Sequence, residues 1–137
     1  MMSDDKVDAA FPLRGIRVLE IGDFIGVPYC TRLLADAGAD VVKLESLNGD
    51  SARLEGPFPE DVVDSERSAL FAFLNRGKRS VMLDVESKTD RKDILNLIAQ
   101  ADVVVHGFPS LNDSPLGVTR EELQAAHPSL IVTSLTP

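Results

Sequence analysis

The sequence predicts an α/β fold, a mostly parallel sheet of about five strands with helices on its faces. Three observations carry that expectation. Short apolar runs rich in β-branched residues recur along the chain, at Ile16 to Ile21, Val41 to Leu44, Val81 to Leu83, Val103 to Val105 and Leu130 to Val132, as buried strands do. Segments with apolar residues at helical spacing alternate with those runs. Glycine or proline stands at most of the junctions, where such residues end or start elements. The resulting order is β, α, β, long loop, short α, β, α, β, α, β.

Residues 1–11 read as a disordered lead and residues 12–137 as a single domain. The stretch from Gly15 to Glu45 forms the first βαβ unit: a strand, a tight loop, a helix over Tyr29 to Ala37, and a second strand. Pro28 opens that helix and Gly38 closes it, the expected punctuation. The loop Gly22 to Pro28 falls at the carboxyl end of the first strand, where parallel sheets bind ligands. It carries two glycines, Gly22 and Gly26, and so lacks the three of a dinucleotide fingerprint. A ligand-free turn and a phosphate loop both stay open there.

Residues 46–65 then lose all periodicity, with Asn48-Gly49, Gly56-Pro57 and Pro59, and six carboxylates stand between Asp50 and Glu66. A loop of that length in a compact domain is a lid, a binding loop or a solvated excursion. A short helix over Ser68 to Leu74 leads to Arg76, Lys78 and Arg79. This basic turn is either an anion contact or a solvated surface. A strand over Ser80 to Asp84 follows, then a helix over Asp90 to Ala101 and a strand ending at His106 and Gly107. Thr119 and Glu122 have capping-box spacing, the helix they start is closed by His127-Pro128, and the last strand runs from Leu130 to Ser134.

Charge and composition exclude several classes of function. The chain has 137 residues, 44% of them hydrophobic, and a formal net charge of −8. That balance opposes nucleic acid and anionic membranes as partners. No apolar run approaches the ~20 residues of a membrane span, and the acidic first residues are unlike a signal peptide, so a cytoplasmic location is expected. Cys30 is the only cysteine and reads as a small core residue. His106, His127 and Cys30 are not brought together by the element order, and no metal site is expected. Ser80, Ser110 and Ser134 lack the context of a nucleophile elbow. Asp23 is the best-placed single carboxylate and reads as a loop cap for the first helix rather than a base.

Several blocks of this sequence resemble family III CoA-transferases, the group of formyl-CoA, carnitine and bile-acid CoA-transferases and α-methylacyl-CoA racemases. They are Pro12-Leu13-Arg14-Gly15-Ile16-Arg17-Val18-Leu19, the run from Pro28 to Glu45, Asn75-Arg76 with Lys78-Arg79-Ser80-Val81, Leu83-Asp84, Ala101 to Val105, Leu116-Gly117, and Pro128 with Leu130-Ile131 and Ser134. The resemblance covers residues 12–137 with its blocks in order, and it corresponds to the amino-terminal part of such enzymes.

What the resemblance implies is a Rossmann-like domain that binds coenzyme A or acyl-CoA at the carboxyl edge of its sheet, with no metal. The implied contacts are Ile25 and Gly26 in the first loop, Arg79 in the basic turn, Leu83, Asp84, Val85 and Glu86 after the third strand, and Gly107, Phe108 and Pro109 after the fourth. It implies transfer of CoA between carboxylates through an aspartyl-CoA thioester. The position of that nucleophile lies beyond Pro137, and none of Asp23, Asp84 or Asp113 corresponds to it, so the 137-residue chain is expected to be inactive alone. The partner is a second copy in a homodimer or the carboxy-terminal part of the same enzyme. Ser46, Gly107 and Pro115 stand where family members carry two arginines and an asparagine. The alternative function is a degenerate, non-catalytic CoA-transferase-like domain that serves assembly.

Overall fold

The structure is a computed structural model that describes residues 11–136. Residues 1–10 of the expected disordered lead lie outside the described residues. Phe11, the last residue of that lead, packs on Gly38: a Cβ there would lie 2.7 Å from the Phe11 Cβ, and Gly38 has φ +99°. Both facts require glycine where the first helix turns into the next strand.

The element order is β1 (Arg17–Ile21), α1 (Gly26–Asp36), β2 (Asp40–Glu45), α2 (Ala69–Asn75), β3 (Arg79–Met82), α3 (Arg91–Gln100), β4 (Val103–His106), α4 (Arg120–Ala126) and β5 (Ile131–Ser134). The five strands form one sheet in the order β3-β2-β1-β4-β5, and every pairing is parallel. The order reverses between β1 and β4, so the carboxyl ends of these two strands flank the crevice of a doubly wound sheet. The expected α/β, Rossmann-like architecture is therefore observed.

The strands alternate between two apolar layers. Leu19, Ile21, Leu44, Val104 and Val132 point to the side covered by Ile94 and Ile98 of α3 and Leu123 of α4. Val18, Val41 and Val105 point to the other side, where Val27, Cys30, Leu34 and Ala35 of α1 pack. Cys30 is thus the half-buried packing residue expected.

Helix α1 begins earlier than the spacing alone indicates, because Pro28 fits inside a first helical turn rather than before it. Thr119 and Glu122 form the expected reciprocal capping box at α4. The long loop is not wholly irregular. It contains short 3-10 turns at Ser51–Leu54 and Pro59–Asp61, the first capped by Asp50, whose side chain accepts from the Ala52 N–H.

Candidate functional site at the carboxyl edge of the sheet

The site begins with two charges in the interior of the sheet. Glu20 of β1 and Lys43 of β2 are register partners and point to the α1 side, fully buried. Lys43 Nζ lies 2.7 Å from Glu20 Oε1 and 2.6 Å from Asp50 Oδ2, and donates to the Gly22 carbonyl at 3.2 Å. The other Glu20 oxygen accepts from Thr31 Oγ1 at 2.6 Å and from Lys78 Nζ at 2.8 Å. Lys78 also donates to the Pro28 carbonyl and to Asn75 Oδ1. Burial alone pulls the Lys43 pKa down, but the charges and hydrogen bonds of Glu20 and Asp50 outweigh it and hold the amine above its ordinary value. At Lys78 burial prevails over Glu20, and the pKa is lowered.

A second cluster lies beside the first. Glu45, at the end of β2, accepts from Arg53 Nε at 2.8 Å and Nη2 at 3.0 Å, from the Asp50 N–H and from Ser80 Oγ. Burial raises the Glu45 pKa, yet these donors prevail and bring it down to about 2. Arg53 is stacked 3.6 Å from the Phe71 ring centroid. Asp23 is held by the Ser51 N–H at 2.8 Å and Ser51 Oγ at 2.6 Å. Burial opposes ionisation of Asp23, but the two Ser51 bonds leave its pKa below the ordinary value. The loop after β1 and the loop after β2 are thereby fastened to each other at Lys43, Asp50 and Ser51.

These fastened loops wall a cavity of about 490 Å³ at the carboxyl ends of β1, β2 and β4. Ile21, Leu44, Leu54, Val85 and Phe108 supply apolar wall, and Ser46, Asn48 and Gly107 stand at its polar side. Gly22 has to be glycine here, since a Cβ would lie 2.4 Å from the Val27 Cβ. Among the described residues the wall contains carboxylates, Asp23, Glu45 and Asp50, but no lysine or arginine. All three carboxylates are already engaged by donors of the protein.

The residues singled out from the sequence divide into three groups. Val85, Gly107 and Phe108 line the cavity. Ile25 and Gly26 are exposed at the start of α1, whose amino end has no side-chain cap. Leu83, Asp84, Glu86 and Pro109 lie in the same two turns as the lining residues, and Asp84 is occupied locally, its Oδ1 accepting from the Glu86 N–H.

Arg79 is separated from all of these. It opens β3 at the opposite, amino-terminal edge of the sheet and binds Asp40 with Nη2 at 2.8 and 2.6 Å. The basic turn is dispersed for a physical reason: Gly77 has φ +80°, and the backbone turn sends Lys78 inward to Glu20 while Arg76 reaches Asp36 at 3.2 Å. Its three cations all serve ion pairs of the fold. Sequence reasoning missed the supporting charges Glu20, Lys43 and Asp50. The available signal was a carboxylate and an amine embedded in two otherwise apolar strands.

Comparison with known proteins agrees with this fold. The sequence model of CoA-transferase family III matches residues 13–137. The chain is 41% identical over 123 residues to the succinyl-CoA:mesaconate CoA-transferase of Haloarcula hispanica, covering 90% of this chain and 31% of that protein. It is 36% identical to the succinate–glutarate CoA-transferase of Agrobacterium fabrum, covering 91% and 32% respectively. Among solved structures, Rv3272 from Mycobacterium tuberculosis superimposes with a TM-score of 0.79 at 33% identity over 93% of this chain and 35% of that one. A CAIB/BAIF family protein from Brucella suis does so with 0.78 at 36% identity, over 91% and 33%. The chain thus spans about a third of the length of the curated relatives it matches. With the family blocks in order and the same fold beneath them, this chain belongs to CoA-transferase family III.

Proposed function

We propose that this chain is the amino-terminal, coenzyme A-binding domain of a family III CoA-transferase, residues 12–137 forming one domain, in an enzyme that moves CoA between carboxylic acids through an aspartyl-CoA thioester. The observation that carries the reading is the cavity at the point where strand order reverses, lined by Val85, Gly107 and Phe108. An apolar wall without a cation suits the uncharged portions of CoA. The phosphates are then left to the solvent side, where the uncapped amino end of α1 presents Ile25 and Gly26 and free backbone N–H groups favour anions. Leu83, Asp84, Glu86 and Pro109 complete the rim, and Arg79 has no part in it.

The cavity's own carboxylates are not the nucleophile in this proposal. Asp23, Glu45 and Asp50 are each bound by protein donors, and a carboxylate so engaged is a weaker nucleophile. The aspartate that attacks the acyl-CoA carbonyl comes from the remainder of the enzyme, in the same chain or in a second copy. A cytoplasmic setting belongs to the proposal and accords with the lone, unpaired Cys30. Among the described residues no helix is long and apolar enough to cross a membrane.

Calorimetric titration of the chain with CoA tests the reading. Binding is expected, with a shallow salt dependence, since no cation lines the cavity. Phe108→Ala is expected to weaken it about fivefold, the loss of one aromatic contact of ~1 kcal/mol, and Arg79→Ala to leave it unchanged. The cation-free wall also favours a second reading, a degenerate domain kept for assembly. Absence of CoA binding by the folded chain would establish that reading and overturn the first.

A further inference from the structure

A second cavity, of about 240 Å³, opens at the same edge but between β4 and β5, and shares only Pro109 with the CoA contacts proposed above. Its walls are His106, Leu111, Val132 and Pro109, with Ser110, Asn112, Ser134 and Arg120 supplying polar groups and Glu121 at its margin. We propose that this cavity is a subsite for the carboxylate of a short-chain organic acid, with Arg120 as its anchoring cation. The inference does not rest on CoA binding in the larger cavity.

The first argument is the state of Arg120. The chain is rich in acids, and Arg17, Arg53, Arg76 and Arg79 are all ion-paired within it. Arg120 has no such partner among the described residues, although Glu121 and Glu122 follow it directly. Glu122 is turned back to the Thr119 N–H at 2.7 Å by the capping box, which leaves Glu121 as the one carboxylate in the wall beside Arg120.

The second argument is the charge of the wall. His106 is buried, with Nδ1 lacking any hydrogen-bond partner. Burial, with a smaller contribution from Arg120, lowers its pKa, a backbone bond to Phe108 opposing, so the ring is neutral near pH 7. With one guanidinium, a neutral imidazole and the Glu121 carboxylate, this wall has no net charge, so attraction for an anion comes from Arg120 alone and a monoanion is repelled less by Glu121 than a dianion. That favours a carboxylate over a phosphate, although both are oxyanions.

The third argument is the remaining polar inventory and the room. Asn112 Oδ1 accepts from the Arg120 N–H at 3.1 Å, which fixes the amide so that its NH₂ is available as a donor. Ser134 Oγ donates to the Phe108 carbonyl at 3.0 Å and keeps its own acceptor capacity. Leu111 and Val132 give a short carbon chain an apolar floor. At about 30 Å³ per water, the volume holds roughly eight waters, enough for an acid of a few carbons.

The test is a titration of the uniformly ¹⁵N-labelled 137-residue chain with sodium butyrate, followed by amide shifts and the His106 ring nitrogens. Sodium chloride at matched ionic strength and inorganic phosphate are separate arms. The expected result is saturable shifts of Ser110, Asn112 and Arg120 with butyrate, weakened at least tenfold in Arg120→Gln. Arg120 is exposed and bears no side-chain contact, so that variant keeps the fold. Lys92→Gln, which removes an exposed cation elsewhere, should bind butyrate as the parent does. Shifts that do not saturate, that chloride reproduces, that persist in Arg120→Gln, or that only phosphate saturates would overturn the proposal. A parallel CoA titration read at Ser46, Asp50 and Val85 reports on the larger cavity alone, so failure of one reading is distinguishable from failure of the other.

Discussion

At the scale of single residues, the most consequential side chain is Lys43. It lies in the interior with two carboxylates and a carbonyl within reach, and deleting one member of a buried ion pair leaves its partners desolvated and unneutralised. Lys43→Met is expected to cost about 3–5 kcal/mol of stability in urea unfolding, where an exposed change such as Lys92→Met should cost under about 0.5 kcal/mol. Glu45 makes the fold sensitive to acid. Its folded pKa of about 2 lies below the ordinary 4.5 of a free glutamate, so the unfolded chain takes up the proton first. The stabilisation is fully present above about pH 4.5 and is lost as pH falls towards 2. Unfolding measured from pH 6 to pH 3 should therefore show a loss that Glu45→Gln flattens. At this scale the sequence was only partly legible. Asp23 was read as a cap for the first helix, but that helix has no side-chain cap, and Asp23 instead ties its loop to Ser51 in the loop after β2. The basic turn was open between anion contact and solvated surface; Arg76 and Arg79 are exposed, paired with Asp36 and Asp40, while Lys78 turns inward, because only the fold brings it to Glu20, 58 positions away in sequence.

At the scale of elements, periodicity and punctuation were enough. The helices and strands stand where apolar spacing, Gly38 and the Thr119 capping box put them, since each of those signals acts over a few residues. The interior of the long loop was not legible, because its order comes from distant donors. Ser68 shows how: its hydroxyl accepts from the Phe71 N–H at the start of α2, and its single proton faces the carbonyls of both Ala52 and Glu55, at 2.7 and 2.6 Å. One buried hydroxyl thus joins the first 3-10 turn to α2. Ser68→Ala removes a helix cap and the hydroxyl that joins two carbonyls, and is expected to destabilise by about 1–2 kcal/mol. Hydrogen exchange in residues 51–55 should rise more than in β1, which checks that the effect is local.

At the scale of the whole molecule, parallel strands and one reversal of their order fix where a ligand can sit, and the sequence already pointed to the strand ends after β1, β3 and β4. Residues 46–54 contribute part of the wall, in line with the binding-loop alternative for that stretch, although nothing local marks Asn48 or Leu54 individually as lining a cavity. In this reading the chain supplies a CoA-binding surface without the attacking aspartate. Purified alone with an acyl-CoA and an acceptor acid, it is expected to give no transfer above the uncatalysed rate, measured by separation of the CoA thioesters; turnover would place the nucleophile within these 137 residues. The buried charges have one more consequence, for the route by which the chain folds. Glu20, Thr31, Lys43, Asp50 and Lys78 come from β1, α1, β2, the loop after it and the turn before β3. Any intermediate that dries out some of these groups before the others arrive strands a bare charge, so partly assembled states are penalised and the amino-terminal half of the sheet should form in a single all-or-none step.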